Sequence, residues 1–199
     1  MNPIGVLCLQ GDFHEHLQTF RELGLPTVRV RKPADLEGIS GLVIPGGEST
    51  VIDKLSQTFE LREPIIQMIR NGLPTFGTCA GLILLADRLL DGTRSQKTFG
   101  GLDVLVQRNA FGSQLDSFEE DVNFEGIAKP VHAAFIRAPI VSEIGEDVEV
   151  VASLKDGRIV GVRQGNILGI SFHPEVTGET SVHEHFADMC IKAKYLSSN

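Results

Sequence analysis

The feature that most constrains this chain is a cadence in its first half: short apolar runs, each followed by a turn and then by helix-patterned text. "IGVLCLQ" ends at Gly11 and gives way to a stretch with Leu17, Phe20 and Leu23 on one helical face, stopped by Gly24 and Pro26. "PTVRVR" and "GLVIP" are two further strand-like runs. "GGEST" then leads into helical text from about Val51 to Arg70, where Pro64 marks a break or a new first turn. A strand "LPTFGT" and a helix "AGLILLADRLL" follow, closed by Asp91 and Gly92. Strands apolar nearly throughout, at this spacing, predict a parallel sheet covered by helices on both faces.

The second half changes character. "GLDVLVQR", "DSFEEDVNF", "VHAAFIRAP", "DVEVVASL" and "RIVGVRQGNILGISF" are strand-like with little helix between them, which predicts mixed or antiparallel pairing. Gln164, Gly165 and Asn166 separate two alternating runs as a hairpin turn would. After "HPEVTGE" the chain ends in a helix from about Thr180 to Tyr195, with Val182, Phe186, Met189, Ile191 and Ala193 supplying much of its apolar surface. No repeat or linker interrupts the pattern. At 199 residues, 42% hydrophobic, the chain can bury a full core. The expectation is therefore one domain over residues 1–199: an α/β fold of three layers, with a mostly parallel central sheet flanked by helices and antiparallel strands in the second half.

Charge and cysteines exclude several functions. Eighteen basic residues against 26 acidic ones, net charge -8, argue against nucleic acid or an anionic membrane surface as partner. The start "MNPIGVLCLQGD" lacks a basic leader, and its apolar run is too short to span a bilayer, so the expected location is the cytoplasm. Three cysteines without CxxC or CxxH spacing fit neither a disulfide framework nor a zinc site, and no metal is expected. Cys8 and Cys190 lie in apolar patterns and are expected as small buried hydrophobes.

Cys79 stands apart. In "GTCAG" it lies between a strand and a helix, where a tight turn can lift a nucleophile clear of the sheet; an ordinary βα turn would read the same way. A cysteine nucleophile needs a base, a group that orients the base, and amide donors for the oxyanion. "SFHPE" offers His173 as base and Glu175 as its orienting carboxylate, although His-Pro also simply ends strands. In a parallel sheet the C-terminal ends of neighbouring strands share one rim, so Cys79 and His173, 94 residues apart, can meet there. "VIPGGEST" ends a strand in two glycines whose backbone can turn toward a bound group; its alternative is a glycine turn before a helix capped by Ser49 or Thr50. An oxyanion hole would combine the amides of Gly47 and Ala80.

"PGGEST", "GTCAG" and "FHPE", in this order and spacing, resemble the class I, triad-type glutamine amidotransferases. "GVLCLQGDFHEH", "RNAFGSQLDSFE" (Arg108 to Glu119) and "AFIRAP" (Ala134 to Pro139) are similar to the branch of that family serving pyridoxal 5'-phosphate synthesis. The resemblance implies Cys79 as nucleophile, His173 as general base and acid, and Glu175 as its orienting partner. It implies that Gly47, Glu48, Ser49, Arg108, Ile136 and Arg137 hold L-glutamine. Glu48 suits the substrate ammonium and an arginine fork its carboxylate, whereas without the family both arginines read as solvated strand-end charges. It implies no cofactor, and as partner a TIM-barrel synthase subunit to which ammonia is channelled.

Two alternatives remain on the residues: a glutaminase serving another biosynthetic amidotransferase, and a non-enzymatic regulatory protein on the same fold. "HEH" at 14–16 and again at 183–185 suggests metal ligands, but HxH on a helix points its rings to different faces, so surface histidines are expected. The loop from Gln10 to His16 is expected at the rim that carries Gly47 and Cys79, and as part of a docking surface.

Overall fold

A computed structural model describes residues 1–90, 97–110 and 117–196. The first apolar run forms β1 (Ile4–Leu7), and the helical text after it forms α1 (Phe13–Glu22). Gly24 stops α1 at φ 68°, with Gly24 N–H donating to Arg21 O and Leu25 N–H reaching back to Phe20 O at 2.9 Å. This left-handed turn satisfies the last carbonyls of the helix. Next come β2 (Thr27–Val30), β3 (Gly41–Ile44), α2 (Ser49–Thr58) and α3 (Arg62–Arg70). The break between the two helices falls at Glu60, φ 58°, with fully buried Leu61 docking behind it. Pro64 is the third residue of α3, in the turn where its missing N–H costs nothing.

β4 (Thr75–Thr78) leads into α4 (Ala80–Leu85), which is shorter than the predicted helix; Ala86–Leu89 is instead β5. All six residues of α4 are buried. A helix apolar on every side leaves no wet face for Asp87 and Arg88, so continuing it would bury both. As a strand, β5 keeps them exposed: Asp87 Oδ1 accepts from Gly101 N–H at 2.9 Å, and Arg88 pairs with Asp103 and Glu143. The expected stop at Asp91 and Gly92 lies outside the described residues.

β6 (Leu102–Gln107), β7 (Ser117–Val122) and β8 (Val131–Ile136) follow as expected. β9 (Ile140–Ile144) was not anticipated, because Pro139 and the polar Ser142 and Glu143 obscure its pattern. β10 (Glu149–Ser153), β11 (Ile159–Gln164) and β12 (Ile167–Ile170) complete the strands; Gln164 pairs with Ile167 around Gly165 at φ 55°, the expected hairpin. A short α5 (Pro174–Thr177) and a long α6 (Ser181–Leu196) close the chain.

Among the described residues ten strands form one sheet in the order β2-β1-β3-β4-β12-β11-β9-β6-β5, with β10 beside β11; β7 and β8 form a separate antiparallel pair. The pairs from β2 through β12 are parallel, and those joining β12, β11, β9 and β6 are antiparallel. Both faces are covered. In β3, Leu42 and Ile44 pack with Ile52, Ile65 and Leu82 on one side, while Val43 packs with Phe20 and Phe186 on the other. The consequence for function lies in the middle of the sheet: β4 and β12 are parallel neighbours, with Thr78 opposite Ile170. The chain therefore leaves both strands at one rim, where Cys79 and His173 follow. No helix among the described residues is long and apolar enough to cross a membrane.

Candidate active site

Cys79 occupies the turn between β4 and α4 with φ 46° and ψ -98°, a region that side-chain-bearing residues rarely adopt and that costs about 1–3 kcal/mol. Its N–H donates to Ile170 O at 2.8 Å, which anchors the turn to β12. The flanking glycines are steric necessities. A Cβ on Gly81 would lie 2.1 Å from Ile44 O, and one on Gly77 would lie 2.5 Å from the carbonyl carbon of Gly81. The elbow thus closes only because both positions lack a side chain.

His173 caps α5 at the end of β12's rim, its N–H donating to Ala134 O at 2.9 Å. Its Nδ1 lies 2.9 Å from Glu175 Oε1, and Cys79 is its other charge-bearing neighbour. Burial alone would lower the His173 pKa, but the neighbouring Cys79 and Glu175 hold it up at about 10. Burial pushes the Glu175 carboxyl up, against the opposing pull of His173. The three expected members are therefore together: a sulfur, a proton-holding imidazole, and a buried carboxylate behind it.

Asp12 was not anticipated as a fourth member. Its Oδ2 is 3.4 Å from His173 Nδ1, and burial raises its carboxyl pKa. Asp12, His173 and Glu175 bring ligand-type atoms within 4.8 Å of one another, but His173 Nδ1 and Glu175 Oε1 are already bonded together.

The glycine loop after β3 adjoins this group. Gly46 lies against His173, where a Cβ would approach Cε1 to 2.3 Å, and its carbonyl accepts from Asp12 N–H at 3.0 Å. A planar peptide puts C=O and N–H on opposite sides, so holding Gly46 O also fixes the direction of the Gly47 amide. Gly47 has φ 147°, and Gln10 Oε1 accepts from Glu48 N–H at 2.8 Å. The first loop does sit on the glycine pair, as its place at the rim suggests. Glu48 is exposed, while Ser49 opens α2 as a buried residue; Ala80 is buried at the start of α4.

Ile136 and Arg137 also reach the site. The Cys79 thiol lies 3.9 Å from Ile136 O, and Arg137 turns the chain there at φ 46° with its side chain exposed. Arg108 stands half-buried in the turn after β6, tied to this segment by Ala110 N–H donating to Ala138 O at 3.2 Å. The middle of the stretch from Arg108 to Glu119, residues 111–116, lies outside the described residues.

One expectation is overturned. His16 and His183 are not surface residues: both are fully buried, and their rings meet, His16 Nδ1 being 2.9 Å from His183 Nε2. Each HxH does split its rings between faces, since His14 is exposed and His185 only half-buried, but the split places one ring of each pair inward. Helical spacing carried the signal: His16 lies four residues before Phe20, and His183 three before Phe186.

The family model described as the SNO glutamine amidotransferase family matches residues 6–192. A Nocardioides protein named pyridoxal 5'-phosphate synthase subunit PdxT is 55% identical over 190 residues, covering 94% of each chain. A protein of the same name from Clavibacter sepedonicus is 57% identical over 187 residues, 94% of this chain and 90% of its own. A crystal structure of a glutamine amidotransferase is similar with TM-score 0.88 and 45% identity, over 94% of this chain and 98% of that one. A GMP synthase protein from Thermoplasma acidophilum, TM-score 0.70 at 20% identity over 100% of this chain and 98% of its own, shares the fold.

Proposed function

The chain belongs to the SNO glutamine amidotransferase family, and from that premise we propose how its residues hydrolyse glutamine for a pyridoxal 5'-phosphate synthase. The protein is the glutaminase subunit: it converts L-glutamine to L-glutamate and delivers the ammonia to a synthase subunit. The observation that carries the residue assignment is that Cys79, anchored to the end of β12 by its N–H to Ile170 O, stands at the same rim as a His173 whose Nδ1 is already bound to Glu175. One ring nitrogen is oriented by the carboxylate, which leaves the other for the sulfur.

Cys79 Sγ attacks the side-chain amide carbon of glutamine, and the carbonyl oxygen becomes an oxyanion held by the amides of Gly47 and Ala80. His173 gives its proton to the departing nitrogen, which leaves as ammonia, and a γ-glutamyl thioester remains. His173 then removes a proton from water as it attacks the thioester, and glutamate departs with Sγ restored. A ring pKa near 10 suits the proton-donating half of this cycle. Glu48 answers the substrate ammonium, Arg108 and Arg137 its carboxylate, and Ser49 and Ile136 line the site. No cofactor or metal takes part in these steps.

Ammonia must travel without meeting bulk water, so the rim is covered by the synthase subunit in a hetero-oligomer, whose barrel carries the second reaction. Ile136 and Val176, 42% and 51% exposed beside the triad, supply apolar surface for that contact. The cores on both faces share one sheet, which supports reading residues 1–199 as a single glutaminase domain. Three free cysteines support residence in the reducing cytoplasm.

The test is ammonia release from glutamine by the chain with the synthase subunit, compared with Cys79→Ala. The variant is expected to fold and bind the partner but release no ammonia above background. Equal release by the variant would remove Cys79 from the chemistry.

A further inference from the structure

Behind the triad lies a buried polar chain that the mechanism above does not use. The His16 ring in α1 is fully buried, with Nε2 3.2 Å from Thr78 Oγ1 and 3.5 Å from Glu175 Oε1, and Nδ1 2.9 Å from His183 Nε2. Thr78 is the residue directly before Cys79. His16 therefore bridges the strand end that carries the nucleophile and the carboxylate that orients the base. We propose that His16 is a positioning residue for glutamine hydrolysis, donating from Nε2 toward Glu175 and Thr78, with His183 fixing the tautomer that makes this possible. The proposal rests on the glutaminase reading above.

The tautomer follows from counting donors. Burial lowers the pKa of both rings, that of His16 well below 6.5 and that of His183 to about 3, so each is neutral and carries one N–H. Two arrangements are possible. If His16 carries its proton on Nε2, it faces the carboxylate as a donor, and Nδ1 accepts from His183 Nε2–H. His183 Nδ1 is then a bare acceptor, and it has no hydrogen-bond partner. If the protons are reversed, a lone pair of His16 faces the carboxylate and His183 Nδ1 becomes a buried donor with nothing to receive it. The second arrangement strands a donor and sets two acceptors against each other, so the first prevails.

The role of this donor follows from what else holds Glu175. Its Oε2 is buried without a hydrogen-bond partner, so the carboxylate is steered through Oε1, between His173 and His16. A donor on the far side keeps Oε1 turned toward His173 and keeps negative charge on the carboxylate, so Glu175 orients the imidazole rather than taking its proton. Phe20 and Phe76 set their rings edge-on to His183, which keeps water from replacing the donor.

Two substitutions separate this role from packing. In His16→Gln the side-chain amide reaches the place of Nε2 and can donate to Glu175; in His16→Asn it reaches only the place of Nδ1. With the synthase subunit present, His16→Asn should lower kcat about tenfold or more with KM for glutamine little changed, while His16→Gln stays within about threefold of wild type. The downfield proton shared by His173 Nδ1 and Glu175, read by NMR, should move in the Asn variant and stay in place in the Gln variant. Equal kcat in the two variants with an unmoved proton would overturn the proposal. Nitrogen-15 shifts of the wild-type chain need no variant: His16 protonated on Nδ1 would overturn it outright, and protonation on Nε2 supports it. Absence of glutaminase activity in the wild-type complex would instead sink the function on which the proposal rests.

Discussion

Lowering the pH from about 7.5 to about 5 probes the buried ring of His183 through its linkage to folding. The ring is fully buried, and burial lowers its pKa from 6.5 to about 3, whereas the unfolded chain returns it to water at its ordinary value. A group with a depressed folded pKa gives its full contribution above the unfolded value and loses it as pH falls through the window from 6.5 toward about 3. Each pH unit inside that window withdraws about 1.4 kcal/mol, so reaching about pH 5 removes about 2 kcal/mol through this ring. His16 acts in the same direction. The carboxyls of Glu175 and Asp12, raised by burial, act oppositely, so the total slope does not isolate the histidine. Urea unfolding of wild type and His183→Gln at both pH values does, because glutamine preserves polarity without titrating. Wild type should lose about 2 kcal/mol more than the variant on acidification. Equal losses would refute a neutral, buried His183.

Three further outcomes follow from the site. His173→Asn should lower turnover by orders of magnitude, and Glu175→Gln by less, since an amide can still orient the ring but does not stabilise its cation; a larger loss in Glu175→Gln, measured as kcat in the complex, would reverse their roles. The chain alone should be a poor glutaminase that saturating synthase activates, and Gln10→Ala should blunt the response because Gln10 holds Glu48 N–H beside the glycine pair; full activity without partner, in steady-state ammonia release, would refute such a gate. Gly81→Ala should destabilise the chain by about 1–3 kcal/mol and reduce turnover, because its Cβ would meet the backbone oxygen Ile44 O at 2.1 Å. Wild-type thermal stability of that variant would remove the steric account of the elbow.

Much of the molecule was legible because a single physical cause dominated each stretch. The parallel half announces itself in runs such as "GLVI", where alternate residues serve opposite cores and all must be apolar. The meeting of Cys79, His173 and Glu175 at one rim was legible because GTCAG and FHPE each follow a buried strand. The misread helix at Ala86–Leu89 shows the limit: "LLADRLL" suits a helix locally, and only the pairing with β6 and the burial of every side of α4 decide against it. β9 depends in the same way on partners distant in sequence. Asp12 gave no local sign, since its role comes from the approach of the first loop to Gly46. His16 and His183 were misjudged because polar side chains default to the surface, whereas inside His16 is met by His183, Thr78 and Glu175, and His183 by His16.

The adjacency of β4 and β12 also sets an order of events during synthesis. The strand before Cys79 leaves the ribosome well before its neighbour exists, and at ordinary elongation rates the 94 residues between Cys79 and His173 take roughly 5 to 20 s. Throughout that interval β4, buried at every position in the finished protein, has one edge without the strand that will cover it. Such an edge invites pairing with another chain. A fragment ending before Ile167 never gains the strand that covers this edge, which makes late truncations a hazard to solubility.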